Sequence, residues 1–259
     1  MTRLLGRILR LSIQQLTAYR ANLVFEGFLT LVRLAAGLVA LGAVFSQTDS
    51  LAGWSLGGTV VLLGTYQVVG GLMGAFIQPN LSFFSEQVRE GKLDDILLKP
   101  VPSIFMASLG SCSPWPLLQV VLGAGVVALG VASGGLTTSS LQVACYLLQL
   151  GSGVVVAWAY LVVLASASFW AAGLELNVLY SASWQLGRYP VDVYHPAITC
   201  FLTFVVPIAF VSTYPARTLA ASGGGPAGVG ASLLAAAISL VVANLVWQAG
   251  TRRYTSATS

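Results

Sequence analysis

Side chains able to do chemistry are scarce in this sequence, and 7 of its 20 charged residues fall in one stretch, Glu86–Lys99. They are Glu86, Arg89, Glu90, Lys92, Asp94, Asp95 and Lys99. Gly91 can end one short helix there, and Asp94 can cap another that runs through Ile96, Leu97 and Leu98 until Pro100 stops it. Such a stretch is either a solvated loop or a docking element that passes force to another subunit. Other chemistries lack their residues. Lys92 and Lys99 are the only lysines, and neither sits in a Gly-x-x-x-x-Gly-Lys-Ser/Thr loop that would cradle nucleotide phosphates. His195 is the only histidine, which excludes a histidine-based metal cluster. There is no Gly-x-Ser-x-Gly turn and no carboxylate pair placed in a common membrane cavity, so an intramembrane enzyme has no support.

The surrounding residues define the setting. The chain has 259 residues, 56% hydrophobic and only 8% charged, with mean hydropathy +0.84. Soluble domains carry about 25% charge; this composition belongs to a polytopic all-α membrane protein. The net charge of +4 reads as membrane orientation and not as nucleic-acid binding. Residues 1–20 form an amphipathic pattern, with Arg3, Arg7, Arg10 and Gln14 on one face and Leu5, Ile8, Leu9, Ile13 and Leu16 on the other. That pattern predicts a helix lying in the headgroup region. It is not a secretory signal, because the apolar run behind it is too long and is interrupted by Glu26 and Arg33. Cys112, Cys145 and Cys200 lie in apolar stretches and are read as small hydrophobes.

About 20 apolar residues are needed to span a bilayer, and six segments qualify: residues 23–45, 56–78, 104–132, 141–170, 196–213 and 228–248. Pro114 and Pro116 should bend or split the third, and Pro207 should kink the fifth. Trp54, Trp170 and Trp247 fall near the expected interfaces. With both termini cytoplasmic, 10 of the 12 basic residues lie inside, including Arg188 after the fourth span, and the 84–100 loop is cytoplasmic too. Arg217 and the Gln47–Ser55 loop are then outside.

Inside the expected membrane region, Arg33 lies near the middle of the first span, where an unpaired arginine costs about 2.5–3.5 kcal/mol on insertion scales. It should face a cavity or a neighbouring helix. Glu26 lies two turns earlier on the same face, and Tyr66 and Gln67 of the second span could face the same path. Gly70, Gly71 and Gly74 allow close helix approach, with packing inside the chain as the default. The acids sit at the edges of the spans, which argues against an ion-coupled carrier and for an external energy source.

Two stretches carry a family resemblance. One is Arg89-Glu90-Gly91-Lys92-Leu93-Asp94-Asp95-Ile96-Leu97-Leu98-Lys99-Pro100-Val101; the other is Gly187-Arg188-Tyr189-Pro190-Val191-Asp192-Val193-Tyr194, continuing through Pro207 to Tyr214-Pro215-Ala216. Together they resemble the permease subunits of ABC-2-type exporters, in the branch associated with antibiotic, multidrug or viologen export. Lys92 departs from the pattern, where an acidic or other polar residue is usual. The resemblance implies two permease subunits, identical or related, in the cytoplasmic membrane of a bacterium. Separate ATPase subunits beneath them bind the ATP and magnesium; this chain needs no cofactor or metal of its own. The coupling helix would comprise Glu86, Arg89, Glu90, Gly91, Lys92, Leu93, Asp94 and Asp95. Spans one, two and five would line the path through Glu26, Arg33, Tyr66, Gln67 and Thr203, with Pro114 and Pro207 as hinges and a mainly apolar lining suited to a hydrophobic or amphipathic substrate such as a drug or lipid. Alternatives are a non-transporting scaffold or regulatory subunit and a secondary carrier.

Overall fold

A computed structural model describes residues 20–82, 84–89, 93, 94, 98, 101–171, 176–220 and 226–254. The expected interfacial helix over 1–20 lies outside them, as do Glu90, Gly91, Lys92 and Asp95. The described residues form eleven α-helices and no strand, only an isolated bridge between Leu51 and Trp54. We number them α1 (Arg20–Phe45), α2 (Leu56–Phe76), α3 (Gln78–Leu81), α4 (Phe84–Arg89), α5 (Ser103–Leu109), α6 (Leu117–Ser133), α7 (Ser140–Ser166), α8 (Leu176–Leu186), α9 (Pro196–Phe204), α10 (Thr213–Ala220) and α11 (Pro226–Arg253). By length and composition α1, α2, α7 and α11 can cross a membrane, and α9 with α10 would make a fifth span only if their 77° bend were ignored. The described residues thus hold four helices that can span, or five with the bent pair, against the six expected from the sequence.

The centre of the body is α2, 78% buried along its most apolar window. Gly57, Gly64 and Gly71 recur every seven residues on it, a period that keeps them on one face. That face meets α6 with the backbones almost in contact. A Cβ added at Gly64 would lie 2.7 Å from the Gly123 carbonyl oxygen and the Val127 nitrogen. One at Gly71 would lie 2.6 Å from the Pro116 oxygen, and one at Gly57 2.6 Å from the Gly134 Cα. Gly123 and Gly130 answer from α6 at the same spacing. In a membrane, where lipid tails are as apolar as leucine, such backbone approach is a main source of helix affinity. Gly71 and Gly74 belong to this seam, whereas Gly70 faces the Gln119 and Trp184 side chains.

Between α5 and α6 the helix is broken from Gly110 to Pro116, a stretch that includes both prolines. Asn80 fills the break. Its amide donates to the carbonyls of Phe76, Ser108 and Ser111, and its oxygen accepts from the Ser111 backbone and hydroxyl. Backbone groups of Ser108 and Ser111 at the break are thus satisfied internally, as burial requires.

Two ends can be told apart, separated by α2, which is about 30 Å long. At one, Phe84, Phe169 and Trp247 pack with ring centroids 5.2–5.9 Å apart, beside Tyr254 and the fully buried Leu93. At the other, Leu51 and Trp54 close a tight turn through Ala52 (φ 50°) and Gly53 (φ 83°), both left-handed. There the Asp192 carboxylate accepts from the Trp54 indole (3.0 Å) and pairs with Arg217.

This geometry corrects three expectations. The segment 196–213 is not a through span: its flanks Asp192 and Arg217 touch, so the chain enters and returns at the Trp54 end. Pro207 breaks it, and hydropathy alone cannot tell an apolar segment that turns back from one that crosses. The passage from the Phe169 end to the Trp54 end is made instead between Trp170 and Asp192, the stretch that holds α8. Because Asp192 bonds to Trp54, Arg188 cannot lie on the far side from the Gln47–Ser55 loop. Finally, Trp54 and Trp247 are buried (7% and 2% exposed) and hydrogen-bonded to Asp192 and Ser103, not set at a lipid interface.

Replacing Gly64 by alanine should separate α2 from α6 and cost about 1–3 kcal/mol, as overpacking does. Gly125→Ala, where the new methyl meets open space, should leave the melting temperature in detergent unchanged or slightly raised. Equal melting of the two variants would contradict the packing described.

Candidate functional site

A cavity of about 530 Å³ opens beside α1. Its lining comes from five helices and the turn after α3: Thr30 and Arg33 from α1, Tyr66, Gln67 and Gly70 from α2, Gln78 and Ser82, Gln119 from α6, and Tyr180, Ser181, Trp184 and Gln185 from α8, with Arg188 just beyond it. The α8 residues fall at positions i, i+1, i+4, i+5 and i+8, one face of a helix. That face carries the aromatic wall. Trp184 stacks on Tyr180 and leans on Tyr66, each at 5.5 Å between centroids, and Tyr160 lies 6.3 Å behind Tyr180. The Gln119 amide donates to the Gln67 oxygen at 2.9 Å, and the Gln78 amide to the Tyr180 hydroxyl at 3.4 Å. Among the described residues neither Arg33 nor Arg188 has an ion pair, and no carboxylate lines the cavity.

Of the residues expected to line a path, Arg33, Tyr66 and Gln67 come together here. Glu26 and Thr203 do not. The Thr203 hydroxyl is spent on the Thr199 carbonyl one turn back in α9 (2.7 Å), and Glu26, one turn below Thr30, stays off the lining. The lining is polar where a mainly apolar one was expected. Gln119, Tyr180, Trp184, Gln185 and Arg188 were not anticipated as lining residues. Their signal in the sequence is the four-residue recurrence Tyr180, Trp184, Arg188, which the interspersed Ser181, Ser183 and Gln185 hide from a hydropathy reading.

The charged stretch 84–98 sits at the Phe84 end. Glu86 is exposed, Leu93 is fully buried, and Leu98 is 83% exposed. The Leu98 N–H donates to the Asp94 carbonyl (3.0 Å), closing one helical turn after the buried leucine. Tyr254, at the end of α11, lies against it; burial and the neighbouring Asp94 carboxylate both push its phenol above the ordinary value. Leu93 and Tyr254 thus tie the loop to α7 and α11. Of the expected hinges, Pro114 lies in the α5–α6 break and Pro207 in the α9–α10 bend.

A family model described as ABC-2 family transporter protein matches residues 31–258. The chain belongs to that family. No curated protein and no solved structure matches it. As an ABC-2 family protein it is a transmembrane subunit of an ABC transporter and works with a separate ATPase.

At the Trp54 end of this ABC-2 protein, Arg217 pairs with Asp192 and stacks over Trp54 and Tyr214, 5.8 Å from each ring centroid. Partial burial of Asp192 opposes its ionisation, but the hydrogen bonds from Arg217 and Trp54 outweigh it and hold the carboxyl below its ordinary value. A depressed carboxyl contributes stability above its unfolded pKa of about 3.9 and loses it as pH falls through the folded value. The Asp192→Asn variant should therefore melt below the native protein at pH 7, and the gap should close as pH drops below about 4. A gap independent of pH would refute the ionic character of the clasp.

Proposed function

We propose that this chain is the permease subunit of an ATP-driven exporter, and that with a second permease it forms the pathway for an amphipathic substrate. The observation that carries the reading is the cavity around Arg33, Tyr66 and Arg188: a polar chamber open inside a nearly uncharged body. Polar groups at membrane depth are costly and mark substrate pathways when they face a cavity. Energy comes from outside the chain, since the sequence holds no nucleotide-binding loop.

The loop 84–98 is the handle the ATPase grips. Arg89 at the end of α4 and Arg252 and Arg253 at the end of α11 lie in the segments that close the Phe84 end, which favours that end as the cytoplasmic one. Leu98 and Glu86 present the exposed contact, while Leu93 and Tyr254 carry a push on the loop into α7 and α11. Closure of the ATPases would rock these helices as bodies against the rigid α2–α6 pair. Trp184 links the bend to the cavity, for it lines the chamber on one side and packs by Pro207, Val206 and Ile208 on the other. A shift at Pro207 would thus reach the aromatic wall directly. The six passes of the chain are α1, α2, α5 with α6, α7, the α8 stretch and α11, with α9 and α10 dipping in from the outer side.

Leu93 and Leu98 give a paired test. Leu98→Asp should leave the melting temperature of the isolated permease unchanged but abolish co-purification with its ATPase and transport-coupled ATP turnover. Leu93→Asp should lower the permease's own stability, by about 2–5 kcal/mol as for other core losses. Normal coupling in Leu98→Asp would refute the handle.

A further inference from the structure

We propose that the cavity selects an anionic headgroup, so that the substrate is an amphiphile with a phosphate, sulfate or carboxylate on an apolar body; this rests on the exporter reading above and names its substrate class. Arg33 and Arg188 bring two fixed positive charges to one chamber, and no carboxylate among the described lining residues balances them. In a low-dielectric surrounding, an unbalanced pair of guanidinium groups favours an anion and repels a cation far more strongly than in water. Guanidinium is also the side chain suited to oxyanions, through paired charge-assisted hydrogen bonds. The other polar side chains of the lining are neutral, and the amides of Gln78, Gln119 and Gln185 can donate to headgroup oxygens.

The rest of the chamber suits the apolar part of such a molecule. Tyr66, Tyr180 and Trp184 form a continuous aromatic wall, with centroid spacings of 5.5 Å. The chamber also opens sideways. Its α1 wall is only 17% buried over the membrane window, and Arg33, Ser181, Gln185 and Arg188 are exposed. Val32 on α1 and Val178 and Leu179 on α8 are exposed beside these positions (46%, 58% and 55%), so a tail can leave the chamber along an apolar surface. The arrangement matches a charged head held between the arginines with its tail in lipid.

The test uses the full chain in phosphatidylcholine nanodiscs and radiolabelled dodecyl phosphate. Binding should be saturable and displaced by laurate, but not by dodecyltrimethylammonium or by inorganic phosphate. Arg33→Gln or Arg188→Gln should each weaken it roughly tenfold or more, the scale of a lost charge-assisted contact, with the Lys variants recovering part of the loss and Arg252→Gln behaving as native. Equal displacement by the cation, displacement by inorganic phosphate, or native binding by both Gln variants at unchanged melting temperature would overturn the inference. ATP-driven export of a cationic amphiphile without anion binding would overturn it while leaving the exporter reading intact. Saturable anion binding in a complex whose ATP turnover moves nothing would support the site and overturn the exporter reading instead.

Discussion

The contact on which the structure depends is the approach of the α2 and α6 backbones. In lipid no hydrophobic force drives two apolar helices together, and affinity must come from packing and backbone proximity. Glycines seven residues apart on both helices allow that proximity, and every other element is placed relative to the pair. α7 and α10 pack against α2, α11 packs on α7, α1 rests against the pair through Leu34 and Leu41, and Asn80 seals the break in the chain that leads into α6. Among the described residues α1 is held by few contacts, so one wall of the chamber is loosely attached. A rigid pair beside a loosely attached wall is the combination that a cycle of opening and closing requires.

The two ends of the molecule are built from different chemistry. The Phe84 end is an aromatic knot in which one buried leucine, Leu93, anchors a polar loop with an exposed tip. The Trp54 end is a clasp of one carboxylate, one guanidinium and two rings. Aromatic packing is indifferent to pH and tolerates small slides, which suits an element that must transmit displacement. An ion pair with cation–π support has a few defined geometries and is lost when the carboxylate is protonated or pulled away. Such a clasp suits a segment that is either closed or released.

Much of this was legible in the sequence, and the rest was hidden for identifiable reasons. The membrane setting and the polar loop follow from where the charges are and are not, and the family from the resemblance carried by residues 89–101 and 187–216. Arg33 pointed to either a cavity or a neighbouring helix, because an arginine in mid-span is too costly against lipid, and the fold places it on the cavity. The chamber's far wall was hidden, since α8 carries Asn177, Ser181, Ser183 and Gln185, which lower its hydropathy below that of the apolar segment after it. That later segment, with Ile198, Phe201 and Phe204, looked more like a span than the α8 stretch did. What distinguishes them is the contact of Asp192 with Arg217 and Trp54, a long-range fact no local pattern contains. Gly57, Gly64, Gly71, Gly123 and Gly130 could have been found by their period. Asn80 could not, because nothing about one asparagine foretells five hydrogen bonds.

The central claim is that an ATPase acting on the 84–98 loop changes which side of the membrane the Arg33–Arg188 chamber faces. The direct measurement places a cysteine at Ser181, on the chamber wall, in a chain freed of Cys112, Cys145 and Cys200, and follows its reaction with a membrane-impermeant maleimide in the reconstituted complex. The account predicts labelling from the ATPase side without nucleotide and from the opposite side with ATP trapped. Labelling from one side in both states would contradict it.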